Sequence, residues 1–189
     1  MKMSDIPGWF GGSHQVEVIK LLYKYNHPDC VGVEIGSLHG RSSYAISVAI
    51  HKGKLYCIDL WNGLSHRTKN TDTIQPETKN TLELFLENTM DRNNIIPIQG
   101  SSPSIVKDWN DPIDFIFLDA THTNPNDREN IDFWLPKIKA GGMFLGHDLY
   151  EDQRFPDVNL NVKYMEDLLN KKVTTIPKTS IWYFELPKN

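Results

Sequence analysis

Residues 31–43, VGVEIGSLHGRSS, constrain the fold more than any other stretch of this chain. An apolar run carrying one acid, residues 31–35, predicts a buried strand. Glycines at 36 and 40 predict a turn. Residues 41–51 predict a helix with Tyr44, Ala45 and Val48 on one face, stopped at Gly53. Strand, glycine turn and helix in that order open a nucleotide-binding α/β unit, where a ligand meets bare backbone and helix-terminal N–H groups. The spacing narrows the ligand. A dinucleotide fingerprint reads G-x-G-x-x-G, whereas this turn reads Glu34-x-Gly36-x-x-x-Gly40. Without the second glycine of the pair it suits a pyrophosphate poorly, and an acid just before the first glycine suits a cationic ligand.

The rest of the chain repeats the alternation. Apolar strand patterns lie at 54–60, 95–99, 113–119 and 143–145, and two more close the chain at 172–176 and 180–186. Helical spacing occurs from Ser13 (Val18, Ile19, Leu22, Tyr23), after Pro76 (Leu82, Phe85, Leu86, Met90), from Asn126 (Ile131, Trp134, Leu135) and over Val158, Val162, Met165 and Leu169. Gly141 and Gly142 predict the turn into the fifth strand. Strands alternating with helices predict a doubly wound, mostly parallel seven-stranded Rossmann-like sheet with helices on both faces. The last two strands, with no helix between them, predict an antiparallel final strand. At 189 residues the chain reads as one domain, with residues 1–27 as an N-terminal helical cap segment. Residues 61–75, polar and without periodicity, predict an active-site loop.

A net charge of −4 disfavours a nucleic-acid partner and leaves a small molecule as the expected one. No apolar run reaches membrane-span length and the start lacks an apolar signal core, so no membrane role is expected. Two cysteines, one within and one just before a strand pattern, predict reduced thiols and a cytoplasmic location. Composition leaves room for a homo-oligomer.

In open α/β sheets ligands bind outside the carboxyl ends of the strands. The predicted strand ends carry Glu34, Asp59, Ser101, Asp119 and the pair His147-Asp148. A row of acids along one edge would be costly as core packing, so it points to a site. Asp59, 23 positions past Gly36, is placed to accept the ribose hydroxyls of an adenosine cofactor, either NAD or S-adenosylmethionine. Asp119 and Asp148 end neighbouring strands and suit Mg²⁺ or another divalent ion, with His147 as a further ligand. His122, three residues past Asp119, is a candidate general base. His14, His39 and His66 fall near the same edge, while His27 and His51 read as surface positions.

Taken together, GWFGGSHQ (8–15), VEIGSLHGRSS (33–43), YCIDLWNG (56–63), DFIFLDATH (114–122), DFWLPKIKAGG (132–142), GHDLY (146–150) and TSIWYF (179–184) resemble the class I S-adenosylmethionine-dependent methyltransferases. More narrowly they resemble the small family that includes macrolide-sugar O-methyltransferases. The resemblance implies S-adenosylmethionine as cofactor and O-methylation of a small hydroxylated molecule such as a sugar, polyol or phenol. It implies that Glu34, Gly36, Ser37, Gly40 and Ser42 line the methionine end of the cofactor. Asp59 and Leu60 would hold the ribose, Gly100, Ser101 and Ser102 would flank the adenine, and Asp119 would lie beside the methyl group. Trp9, Phe10, Trp61 and the 61–75 loop would close over the site. Two positions depart from the family pattern. Ser101 stands where an Asp is frequent, and Leu149 stands where metal-dependent relatives carry an Asn. A nicotinamide oxidoreductase on the same topology would need a Tyr-x-x-x-Lys pair, which the Tyr150 and Tyr164 contexts lack. A cofactor-binding module without turnover is the remaining alternative.

Overall fold

The computed structural model describes residues 3–62 and 80–188. Seven strands form one sheet in the order β3-β2-β1-β4-β5-β7-β6. Their ranges are β1 Val31–Ile35, β2 Lys54–Asp59, β3 Ile95–Gln99, β4 Ile113–Leu118, β5 Ile138–Gly146, β6 Thr174–Thr175 and β7 Trp182–Glu185. Strands β1 to β5 pair in parallel, and β7 runs antiparallel to both its neighbours. Helices α1 (Ser13–Leu22), α2 (Arg41–Ala49) and α3 (Thr81–Thr89) cover one face. Helices α4 (Asn126–Trp134) and α5 (Pro156–Leu169) cover the other. The fold is the Rossmann-like one expected from the alternation.

The two faces follow from the period-two alternation of strand side chains. On β4, Phe115 and Phe117 pack with Ala45, Ile46 and Ala49 of α2, while Ile116 and Leu118 pack with Ile131 and Trp134 of α4. All six residues of β4 are buried, as a strand sandwiched between helix layers requires.

Three expectations need correction. Helix α2 buries Ala45, Ile46 and Ala49, whereas Tyr44 and Val48 are only half-buried at its flanks. Gly141-Gly142 is not a turn: β5 starts at Ile138 and runs through both glycines, absorbing them as a register shift against Ile113 and Phe115. Pro76 lies outside the described residues, and α3 starts at Thr81, where the Asn80 side chain accepts from the Leu82 N–H.

The register aligns the strand ends that matter. Ile35 sits beside both Ile58 and Leu118, Asp59 beside Gln99, and Leu118 beside Gly146. The ladder then extends past the strands: Gly36 N–H donates to Ile58 O, Gly100 to Asp59 O, Asp119 to Ile35 O and His147 to Leu118 O, at 2.9 to 3.2 Å. Five loops therefore leave the sheet at one level. The chain reverses direction across the sheet between β1 and β4, which is where a crevice must form.

Candidate functional site

A cleft of about 670 Å³ opens over this edge, within the ~300–1,000 Å³ range of small-molecule sites. Its walls include Gly36, Ser37, Ser42, Asp59, Leu60, Gly100, Ser101, Ser102, Asp119, His122, His147 and Asp148. The structure thus gathers most of the residues expected from the sequence into one concave surface.

Two expected cofactor residues do not reach it. Glu34 is fully buried on the α2 side of β1, where its Oε2 accepts from the Ser37 hydroxyl at 2.6 Å and from the Ser43 hydroxyl. Burial raises the pKa of this carboxyl above the usual carboxylate range, against the hydrogen bonds of Ser37, Ser42, Ser43 and Cys57. Glu34 therefore shapes the turn from beneath and is not exposed to the cleft. Gly40 is also turned away. A Cβ there would meet Thr89 Cγ2 at 2.7 Å and the Phe85 ring, so this glycine lets α2 start close against α3. Gly36 lines the cleft, and with φ +89° its Cα lies so close to the end of β4 that a Cβ would come within 2.0 Å of the Asp119 carbonyl oxygen.

Asp59 joins two loops. Its Oδ2 accepts from the Leu38 N–H at 2.9 Å and its Oδ1 from the Trp61 N–H at 2.8 Å, while Trp61 Nε1 donates back to Leu38 O at 2.7 Å. A carboxylate has about four acceptor sites, of which the described residues take these two. Trp61 is 3% exposed and packs on Phe85, and Phe10 is 4% exposed and packs on Phe117 and His147. Phe10 lines the cleft from this packed position, whereas Trp61 does not line it. Trp9, 66% exposed, stands at the rim. Of the 61–75 loop, residues from 63 onward lie outside the described residues, as does His66.

The β4 and β5 ends carry an acid–imidazole cluster. His122 Nε2 lies 3.1 Å from both Asp119 Oδ1 and Asp148 Oδ2. His147 Nδ1 lies 3.3 Å from Asp148 Oδ1 and 3.6 Å from Asp119 Oδ2, and its Nε2 meets Ser180 Oγ at 3.0 Å. Burial works to lower the His122 pKa, but the hydrogen bonds and charges of the two acids outweigh it and carry the imidazole up to about 10. His147 is pushed up by the same acids, and both carboxyls are held below their ordinary range by the two imidazoles despite burial. The two acids thus favour the charged form of His122, and a dication beside it would favour the neutral form expected of a general base.

The same two negative charges could be balanced by one divalent ion. Asp119, His122 and Asp148 each offer a ligand atom, all within 4.8 Å of one another. Two carboxylate oxygens and one imidazole suit Mg²⁺, Mn²⁺ or Zn²⁺, so the residues fit a metal. The third member of that group is His122; His147, expected as a ligand, turns Nδ1 toward both acids while Ser180 meets its Nε2.

Sequence reasoning missed several cleft residues. Arg41, the first residue of α2, lines the cleft, as do Tyr150, Phe155, Asn126 and Asn130. Only Arg41 carried a legible signal, a cation directly after the glycine turn. His14, which accepts from the Ser180 N–H through Nε2 at 3.2 Å, pairs across 166 positions that no local pattern reveals. Cys30 and Cys57 are buried free thiols, and no helix among the described residues is long and apolar enough to cross a membrane.

Comparison with known proteins agrees with this geometry. The family described as a methyltransferase domain matches residues 33–149. An O-methyltransferase from Streptomyces achromogenes involved in tomaymycin synthesis, solved with S-adenosylmethionine, is 15% identical; the match covers 98% of this chain and 83% of that one, with a TM-score of 0.65. An O-methyltransferase from Bacillus cereus, in complex with S-adenosylhomocysteine, is 14% identical over 96% and 84%, with a TM-score of 0.63. An rRNA methylase from Streptococcus thermophilus is 13% identical over 91% and 95%, with a TM-score of 0.64. At these identities the structural likeness speaks for the fold.

Proposed function

The chain belongs to the methyltransferase-domain family, and on that premise we propose that it transfers the methyl group of S-adenosylmethionine to a hydroxyl oxygen of a small molecule. One observation carries the reading. The cleft at the switch point runs from a ribose-type acid, Asp59, past the Gly36 turn to a cation-demanding pair of acids, Asp119 and Asp148. An adenosine cofactor with a methionine tail needs the first two features. Methyl transfer to a hydroxyl benefits from the third.

In this reading Asp59 takes the ribose and the 100–102 segment flanks the adenine. Ser101 stays available to an adenine edge, while the Ser102 hydroxyl is already engaged by Asn130 and Trp134. The bare backbone of Gly36 and Ser37 admits the methionine tail, and the methyl group comes to the Asp119 end. Asp119, His122 and Asp148 would hold a divalent ion, which would supply Lewis-acid polarisation of a hydroxyl. Phe155, tilted at 38° against His122 with ring centroids 4.7 Å apart, and Tyr150 border the acceptor's place. The hydroxyl oxygen attacks the methyl carbon, and the sulfur–methyl bond breaks with its electron pair left on sulfur. The hydroxyl proton leaves to water at the open cleft. Most of the acceleration then comes from positioning two bound substrates. The chain's net charge of −4 favours a small acceptor over a nucleic acid.

The test is transfer of labelled methyl from S-adenosylmethionine to a panel of sugars, polyols and phenols, with and without Mg²⁺. Label should appear in at least one acceptor class and vanish on adding EDTA while the fold persists. Full activity in EDTA would leave the two acids as hydrogen-bonding groups only, and an absence of transfer to every hydroxyl would contradict O-methylation.

A further inference from the structure

Arg41 occupies a part of the cleft to which no role has yet been given. It begins α2, directly after the turn formed by Gly36 to Gly40, and its side chain lines the cleft alongside Gly36, Ser37 and Ser42. Its Nη1 donates to a carbonyl, the oxygen of Gly8, and its Nε is buried with no hydrogen-bond partner among the described residues. Packing holds it there. A Cβ on Gly11 would lie 2.9 Å from Arg41 Nη2, and one on Gly8 would lie 3.6 Å from Arg41 Cβ and Cδ, so the segment at 8–11 is laid directly over the guanidinium. A planar fork of five donors satisfied by a single carbonyl is an incomplete partnership, and its natural complement is a carboxylate. The first turn of α2 adds backbone N–H groups that favour an anion at the same place.

We propose that Arg41 is the specificity determinant for the cofactor's α-carboxylate, which it grips while holding the N-terminal segment through Gly8. The inference rests on the assignment of S-adenosylmethionine to this cleft and extends it, since it says which end of the cofactor is read by charge and by which residue. It also gives Gly11 a purpose, because a Cβ there would crowd the guanidinium at 2.9 Å.

The probe is decarboxylated S-adenosylmethionine, which differs from the cofactor only in lacking the carboxylate. Calorimetric titration of the wild type should show the intact cofactor binding more tightly than the decarboxylated one. Arg41→Met should weaken the intact cofactor by roughly 10- to 100-fold, the range for a hydrogen bond to a charged group, and leave the decarboxylated one nearly unchanged. The ratio of the two affinities should therefore collapse toward one. Arg41→Lys, which keeps a point charge without the fork, should restore part of the ratio. A variant that merely loosened the fold would weaken both ligands alike and keep the ratio, and that result would overturn the proposal. Equal affinities in the wild type would also overturn it. If the wild type bound neither ligand, the cofactor assignment itself would fall.

Discussion

Gly36→Ala is expected to be among the most damaging single methyl additions the protein can receive. The new Cβ would meet the Asp119 carbonyl oxygen at 2.0 Å, its carbon at 2.7 Å and Ala120 Cα at 2.8 Å. All three are backbone atoms, so no side chain can turn aside. The φ of +89° adds strain for any residue with a Cβ. Overpacking and backbone strain together should cost at least about 3 kcal/mol. Relief would require β1 and β4 to part at the very place where the cofactor is proposed to lie, so S-adenosylhomocysteine binding should be lost as well. Chemical denaturation gives the comparison, with Gly12→Ala as reference: Gly12 also has a positive φ, +55°, but nothing lies within 4 Å of its would-be Cβ. That variant should lose less, roughly 1 to 3 kcal/mol, the cost of its φ +55°, ψ −118° conformation alone. Equal losses in the two variants would mean that the β1–β4 contact is not tight.

Asp148→Asn should have the largest effect on chemistry. One carboxylate here serves two imidazoles, Oδ2 facing His122 at 3.1 Å and Oδ1 facing His147 at 3.3 Å. The amide keeps the shape and removes the charge. With one carboxylate gone, the charged forms of His122 and His147 lose part of what favours them. A divalent ion would lose an anionic ligand at the same stroke. Since even an outer partner of a metal ligand is worth roughly 10- to 100-fold, loss of a direct ligand should lower turnover by at least about 100-fold. Affinity for S-adenosylhomocysteine should hardly change, because Asp59 and the Gly36 turn are untouched. A fall in kcat with cofactor binding intact is the signature of a group used in the transition state. Turnover that survived in Asp148→Asn would remove the cluster from the chemistry.

The fold was legible because the strands are short apolar runs separated by helix-period segments, and burial on both sides leaves such runs little choice. Asp59, Asp119 and Asp148 were legible for a related reason: a carboxylate directly after an apolar run marks where a strand leaves the core. The same rule misled at Glu34. There the run continues through Ile35, and strand alternation turns the acid inward beneath α2, toward Ser37 and Ser43. Gly40 misled because a glycine is equally useful against a ligand or against a neighbouring helix, and only the position of α3 decides. The roles of the histidines depend on contacts no spacing encodes. His122 and His147 are set apart by which nitrogen meets Asp119 and Asp148, and His147 is held from behind by Ser180, 33 positions away. Gly141 and Gly142 read as a turn, yet the strand passes through them because β5 can bulge against Ile113 and Phe115.

Calorimetric titration with S-adenosylhomocysteine and, separately, with NAD⁺ tests the central claim most directly. The wild type should bind S-adenosylhomocysteine at one site per chain and give no heat with NAD⁺. Asp59→Ala should weaken the former, since it removes the ribose acceptor together with the bond that joins the Leu38 and Trp61 loops. Binding of NAD⁺ in place of S-adenosylhomocysteine, or an unchanged affinity in Asp59→Ala, would contradict the account.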